Sequence, residues 1–235
     1  MKTKNNKLTA IILWIFSIIL FIVSIFILWI NNKNTQASII NNMQSNILKR
    51  IDNTNIKKAK NKNANFKANT TKDANAKTIV YNKLHNDNLN AIGCMSIPKI
   101  KMINPIFNGY GINGTYLALG ACTMKPNQQM GKGNYALAGH YMASNTVFHS
   151  LNKVKIGMNV YLTNLKKIYV YKVVNTTIIN KFDVNIINDI PNEKIVTLIT
   201  CTQLNQTPYR TLVQGNLINI IPATKNNLKK YSLKN

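Results

Sequence analysis

The chain has 235 residues, 46% hydrophobic and 15% charged, with 30 lysines and arginines against 6 aspartates and glutamates, a net charge of +24. That length allows one globular domain of ordinary size, and 10 Gly with 3 Cys exclude collagen-like and disulfide-framework folds. The apolar residues gather in long runs, which excludes a wholly disordered chain, and the charge is spread over both halves, with 14 basic and 3 acidic residues in 1–90 and 16 and 3 in 91–235.

Residues 1–7 carry Lys2, Lys4 and Lys7 and precede Leu8 to Ile30, 23 residues without a charge or a proline. At about 1.5 Å rise per residue this run crosses a ~30 Å hydrocarbon core. After it only Lys33 appears before Lys49, so the lysine bias puts the amino terminus inside the cell and residues 31–235 outside. A cleaved signal peptide is the rival reading, but its apolar core runs to only about 7–15 residues, and Thr35-x-Ala37 is a poor cleavage site. The reading adopted is an uncleaved single-pass anchor over 8–30, in contact with membrane lipids.

From Asn31 to Asn90 the composition turns to Asn, Lys, Ala and Thr, which reads as a polar stalk unable to bury enough surface to order itself. Within it Ile39, Ile40, Met43, Ile47, Leu48 and Ile51 fit one helical face, either near the membrane or on a short helix without a partner. The positive charge reads as solubility and compositional bias, or as adhesion to anionic polymers or lipid heads. Nucleic acid is not an expected partner, because the only arginines are Arg50 and Arg210.

Beyond Ala91 short β-branched and aromatic runs are divided by Gly, Asn and Pro. The predicted strands are Gly93–Ile97, Met102–Phe107, Tyr135–Ala138, Asn159–Thr163, Ile168–Ile179, Ile195–Ile199 and Thr211–Ile220, with Thr115 to Met124 read as a short helix or loop. Seven or eight strands in 91–223 imply a sandwich or barrel. The tail 224–235 is polar.

Three cysteines, Cys94, Cys122 and Cys201, leave at least one thiol unpaired within the chain. Cys201 ends the strand-type run Ile195-Val-Thr-Leu-Ile-Thr-Cys201 beside a polar loop, where a scaffold can hold a thiol against a substrate. Cys94 falls inside a strand and Cys122 among small residues, both packing positions. A thiol nucleophile needs a proton partner. His85 lies in the polar segment, and His149 in a Phe148-x-x-Leu151 turn. His140 ends Tyr135-Ala-Leu-Ala-Gly-His140, another strand running into a loop, and is the best base of the three.

These pieces, with Ile97-Pro98, Asn104-Pro105-Ile106-Phe107, Gly120-Ala-Cys-Thr-Met124, Met130-Gly-x-Gly-Asn-Tyr135, Gly157-Met-x-Val-Tyr-Leu162 and above all Thr197-Leu-Ile-Thr-Cys201 with Arg210 nine residues on, resemble the catalytic domain of the sortases. Sortases are cysteine transpeptidases that fix surface proteins to Gram-positive cell walls, and the resemblance is greatest to class A. It implies an all-β fold, a closed eight-stranded barrel with short helices, preceded here by one transmembrane helix and a polar stalk.

By that resemblance Cys201 attacks the Thr–Gly carbonyl of a Leu-Pro-x-Thr-Gly sorting signal on a surface protein. His140 serves as acid and base, Arg210 donates to the oxyanion or the substrate backbone, and Thr200 assists at the same oxygen. The amine of lipid II or of peptidoglycan then resolves the thioester. Ala138 and Ile199 line the groove for the signal's leucine and proline, with Val184, Ile186 and Ile187 from the preceding loop. No cofactor is implied. Relatives that bind calcium do so through several acidic loops, whereas 91–235 contain only Asp183, Asp189 and Glu193 in one segment, and a hard-cation cage takes roughly 6–8 oxygens.

Three other readings are weighed. A pilin-polymerising class C sortase adds a lid and a second membrane span, and Leu217–Pro222 is too short to be that span. An L,D-transpeptidase needs a Ser-x-Gly-Cys setting, which the sequence lacks. A non-catalytic, membrane-tethered basic barrel that binds wall polymer would not need the three site residues.

Overall fold

The computed structural model describes residues 2–60, 64–67, 78, 91–142, 146–204 and 207–234. Helix α1 spans Lys2–Asn31, and its segment Thr9–Asn31 has a mean hydropathy of 3.2 with none of it buried against the rest of the chain. By length and composition it can cross a membrane. Asn32 caps helix α2, Lys33–Arg50, its side chain accepting from the Asn34 amide at 2.9 Å. Helix α3 follows over Asn53–Lys60.

Eight strands then close a barrel in the spatial order β1-β2-β3-β4-β7-β8-β6-β5. They are β1 Gly93–Ile97, β2 Met102–Phe107, β3 Ala121–Thr123, β4 Gly133–Ala138, β5 Asn159–Thr163, β6 Lys167–Asn180, β7 Lys194–Cys201 and β8 Tyr209–Pro222. Two neighbouring pairs, β2–β3 and β4–β7, are parallel, and the others are antiparallel. Closure leaves no unpaired edge. A short helix, α4, spans Lys225–Lys230.

Strand alternation decides which side chains fill the barrel. Tyr135 and Leu137 of β4, Val196 and Leu198 of β7 and Val213 of β8 join Met95, Ile106, Leu162 and Tyr171 in one buried cluster. Their sequence neighbours Ala138, Ile199, Cys201 and Arg210 therefore belong to the outer face. The barrel, expected from the sequence, is present. The strand β3 is not foreseen: Thr115 to Met124 holds the end of a 3₁₀ helix, Ile112–Ala118, and then three strand residues paired with β2 and β4.

The expected stalk differs from the structure over residues 33–60. Met43, Ile47, Ile51 and Ile56 are buried with Phe107, Tyr110, Leu117 and Leu119 of the barrel, and Leu228 and Leu233 of the tail join the same cluster. The apolar stripe read from the sequence thus has a partner. Burial of these four large apolar side chains, at roughly 1.5–3 kcal/mol each, offsets part of the entropy lost on ordering the segment. Most of residues 61–90, including His85, lies outside the described residues.

Candidate active site

The parallel pairing of β4 with β7 sets Ala138 opposite Ile199, and the antiparallel pairing of β7 with β8 sets Cys201 opposite Arg210. Cross-strand partners share a face. Ile199 and Ala138 therefore form the floor of a cleft whose upper end carries Cys201 and Arg210. The chain leaves β4 through Gly139, whose amide donates to Ile199 O at 3.2 Å, and His140 donates its own amide to Leu117 O at 2.9 Å. A Cβ at Gly139 would stand 3.0 Å from the Phe148 ring, so the small residue lets the His140 segment lie against it.

The cleft has a volume of about 630 Å³ and is lined by all nine residues named from the sequence: Cys201, His140, Arg210, Thr200, Ile199, Ala138, Val184, Ile186 and Ile187. Nine others line it as well, among them Tyr110, Leu117, Met124, Lys181 and Phe182, which were not anticipated. Their sequence signal is weak, because each lies far from the cysteine and histidine motifs in the chain and reaches the site only through barrel closure.

One wall is the β6–β7 connection, which carries a 3₁₀ helix over Val184–Ile187. It is tied to β4 by Asn134, which is 1% exposed. Asn134 Nδ2 donates to Ile186 O at 2.9 Å and to Asn188 O at 3.1 Å, and its amide N donates to Asp189 Oδ1 at 2.7 Å. Asp189 also pairs with Lys125, and that hydrogen bond holds its carboxyl below the usual carboxylate range. The Lys181 amide donates to Pro208 O at 2.7 Å, joining this wall to the β7–β8 loop.

The three thiols differ in environment. Cys94 is 1% exposed, donates its Sγ–H to Leu233 O at 3.1 Å and is pushed up to about 12, mainly by burial. Cys122 is fully buried, and burial raises its thiol well above the ordinary value. A neutral buried thiol is a poor nucleophile. Cys201 alone is partly exposed, at the mouth of the cleft.

Arg210 Nη1 donates to Thr207 O and, at 2.9 Å, to Tyr209 O. These bonds fix the guanidinium at the start of β8 and use two of its five N–H groups, leaving three for a bound carbonyl. Thr200 is 2% exposed, with its Oγ1 buried and without a hydrogen-bond partner. His149 is engaged elsewhere, its Nδ1 on Met142 O and its ring tilted on Tyr141 with centroids 4.7 Å apart. Among the described residues no three His, Cys, Asp or Glu side chains converge to hold a metal.

Comparison with known proteins matches residues 95–218 to the sortase domain. Sortase A of Streptococcus agalactiae is 31% identical over 222 residues, covering 92% of this chain and 88% of that protein. Sortase A of Listeria monocytogenes is 33% identical over 177 residues, covering 75% and 78%. The solved structure of the Listeria protein aligns with a TM-score of 0.58 at 35% identity, over 62% of this chain and 99% of that one. Sortase C-3 of Streptococcus pneumoniae shares the fold at 20% identity, with a TM-score of 0.55 over 83% of this chain and 94% of its own. The closed barrel is thus matched in fold and in sequence, and the chain belongs to the sortase family of cysteine transpeptidases.

Proposed function

We propose that this sortase is of class A, anchored by α1 with its amino terminus inside the cell, and that it cleaves Leu-Pro-x-Thr-Gly-type signals on surface proteins and passes them to the amine of lipid II. The observation that carries the reading is the meeting of Cys201, His140 and Arg210 at one end of a cleft whose floor is Ile199 and Ala138. The apolar floor, with Val184, Ile186 and Ile187 in the wall, suits the signal's leucine and proline.

The Cys201 thiolate attacks the threonine carbonyl carbon and forms a C–S bond. Arg210, assisted by Thr200, donates to the oxygen on which negative charge develops, a contribution that lowers the barrier because it strengthens in the transition state. As the C–N bond breaks, His140 gives its proton to the departing glycine amine, leaving a thioester. The incoming amine attacks that thioester, His140 takes its proton, and the C–S bond breaks to return the thiolate.

The likeness to two proteins named sortase A, at 31% and 33% identity, supports class A over the pilin-polymerising class C. Incubating the full chain in detergent micelles with a Leu-Pro-Glu-Thr-Gly peptide and lipid II tests the reading. The expected products are a Thr–amine conjugate and a thioester mapped by mass spectrometry to Cys201. A thioester on Cys122, or conjugation only to the lysine of a pilin-type acceptor, would overturn it.

A further inference from the structure

The face of α2 that meets the barrel carries one polar residue, and its hydrogen bonds lead towards His140. Gln44 is only 6% exposed. Its Nε2 donates to Asn104 Oδ1 at 2.8 Å and to Leu119 O at 2.9 Å. Asn104, on β2 and fully buried, in turn donates its Nδ2 to Val147 O at 2.9 Å. Val147 sits at φ +50°, which a β-branched residue adopts only when its surroundings hold it there.

Val147 forms a bridge with Tyr141, and the next residue, Phe148, donates its amide to His140 O at 3.3 Å. The backbone that Asn104 restrains is therefore the backbone on which the His140 segment is laid. A second contact runs beside the first: Ile40 of α2 packs on Ala118, Met142 and Val147, all buried, and Leu117, next to Ala118, accepts the His140 amide.

We propose that α2 is a working part of the active site and that Gln44 is a positioning residue which, through Asn104 and the strained Val147, sets where His140 stands relative to Cys201. The inference rests on the reading of His140 as the acid–base group. It gives the juxtamembrane helix a part in turnover that the barrel alone does not supply.

The test uses the full chain in micelles with four variants, His140→Ala, Gln44→Met, Asn104→Leu and the double Gln44→Met/Asn104→Leu, and with Asn46→Ala, exposed on the same helix, as control. Gln44→Met keeps the volume and removes both donors. It is expected to lower kcat per folded molecule about tenfold, equivalent to about 1.4 kcal/mol, with KM within twofold. It should also move the pH midpoint at which iodoacetamide alkylates Cys201, a readout of the thiol–imidazole pair that lost stability alone would leave in place. The other titratable groups lining the cleft are Tyr110, Lys181, Asp183 and Arg210, and these variants touch none of them. The double variant should be no slower than Gln44→Met by more than about twofold, since both break one relay.

If His140→Ala retains turnover, the acid–base reading fails, whatever Gln44 does. If His140→Ala is inactive while Gln44→Met keeps its kcat and alkylation midpoint, the positioning role fails and the reading of the site stands. A loss that follows the folded fraction, with the midpoint unmoved, reduces α2 to packing and also overturns the proposal. Should Gln44→Met not fold, Ile40→Val carries the same prediction at about threefold, because it trims one methyl from the contact with Val147.

Discussion

Asn134→Ala separates the wall of the cleft from its chemistry. The substitution deletes two side-chain hydrogen bonds, to Ile186 O and Asn188 O, at a position 1% exposed. Each such bond is worth about 1 kcal/mol, and because Ile186 and Asn188 are not themselves buried, water recovers part of the loss. The net cost is about 1–2 kcal/mol, which for a domain of this size lowers Tm by roughly 3–8 °C. Cys201, Arg210 and His140 stand on β7, β8 and the segment after β4, none of which loses a bond. The change should therefore appear in KM, rising roughly tenfold for a fluorogenic sorting-signal peptide, with kcat within about threefold. Asn134→Asp, which turns a carboxylate towards the same two carbonyls, should raise KM further. A fall in kcat at unchanged KM would refute the reasoning, since it would place Asn134 in the chemistry rather than in the wall.

Other outcomes follow from the thiols and the arginine. At pH 8 iodoacetamide should label Cys201 at least a hundredfold faster than Cys94 or Cys122 in the folded chain, read by peptide mass mapping, and Cys201→Ala should abolish peptide cleavage while Cys94→Ala and Cys122→Ala retain it. Burial raises the Cys94 thiol to about 12 and the Cys122 thiol well above 9.0. The unfolded chain therefore loses protons first as pH rises, so stability present below pH 9 falls above it by about 1.4 kcal/mol per pH unit per thiol. Denaturant melts from pH 8 to 11 should show that slope, and Cys94→Ala should flatten it. Arg210→Lys should keep Tm within about 3 °C and lower kcat/KM roughly a hundredfold, the scale of one lost oxyanion donor. Near-normal turnover would remove the guanidinium from the mechanism.

The parts of this molecule that sequence reveals are those whose cause is local. Ile195 to Cys201 is a β-branched, apolar run that stops at a polar loop, so the position of the thiol is readable from seven residues, and the same holds for Tyr135 to His140. The strand Ala121–Thr123 is not readable, because three small residues have no period and their pairing comes from β2 and β4. Asn134 leaves little trace either, since the carbonyls it holds lie 52 and 54 residues on. A faint local signal is Gly133, at φ +49°, where a Cβ would come within 2.6 Å of Asp189. The stripe on α2 shows that a face will be buried and cannot name the partner, because amphipathicity records only one side of a contact.

That docked stripe changes how the barrel relates to α1. A flexible tether of some sixty residues would let the cleft roam over a large volume and would dilute it against any substrate held in the same membrane. Here a single non-helical residue, Asn32, separates α1 from α2, and the junction is bonded by Gln36 Nε2 to Ile30 O at 3.2 Å as well as by the Asn32 cap. Helix α2, 18 residues and about 27 Å long, then lies against the barrel by Ile40, Met43 and Ile47 and by the Gln44 bonds. With α1 in a membrane, the height of the cleft above the surface is set by a packed helix and varies little. On the proposed function, a substrate held in that membrane would meet Cys201 at a nearly fixed height, which would raise the effective concentration of the two without any further contact between them. The same contacts that fix the height run on to Val147 and the His140 backbone, so loosening α2 from the barrel would cost reach and proton transfer together.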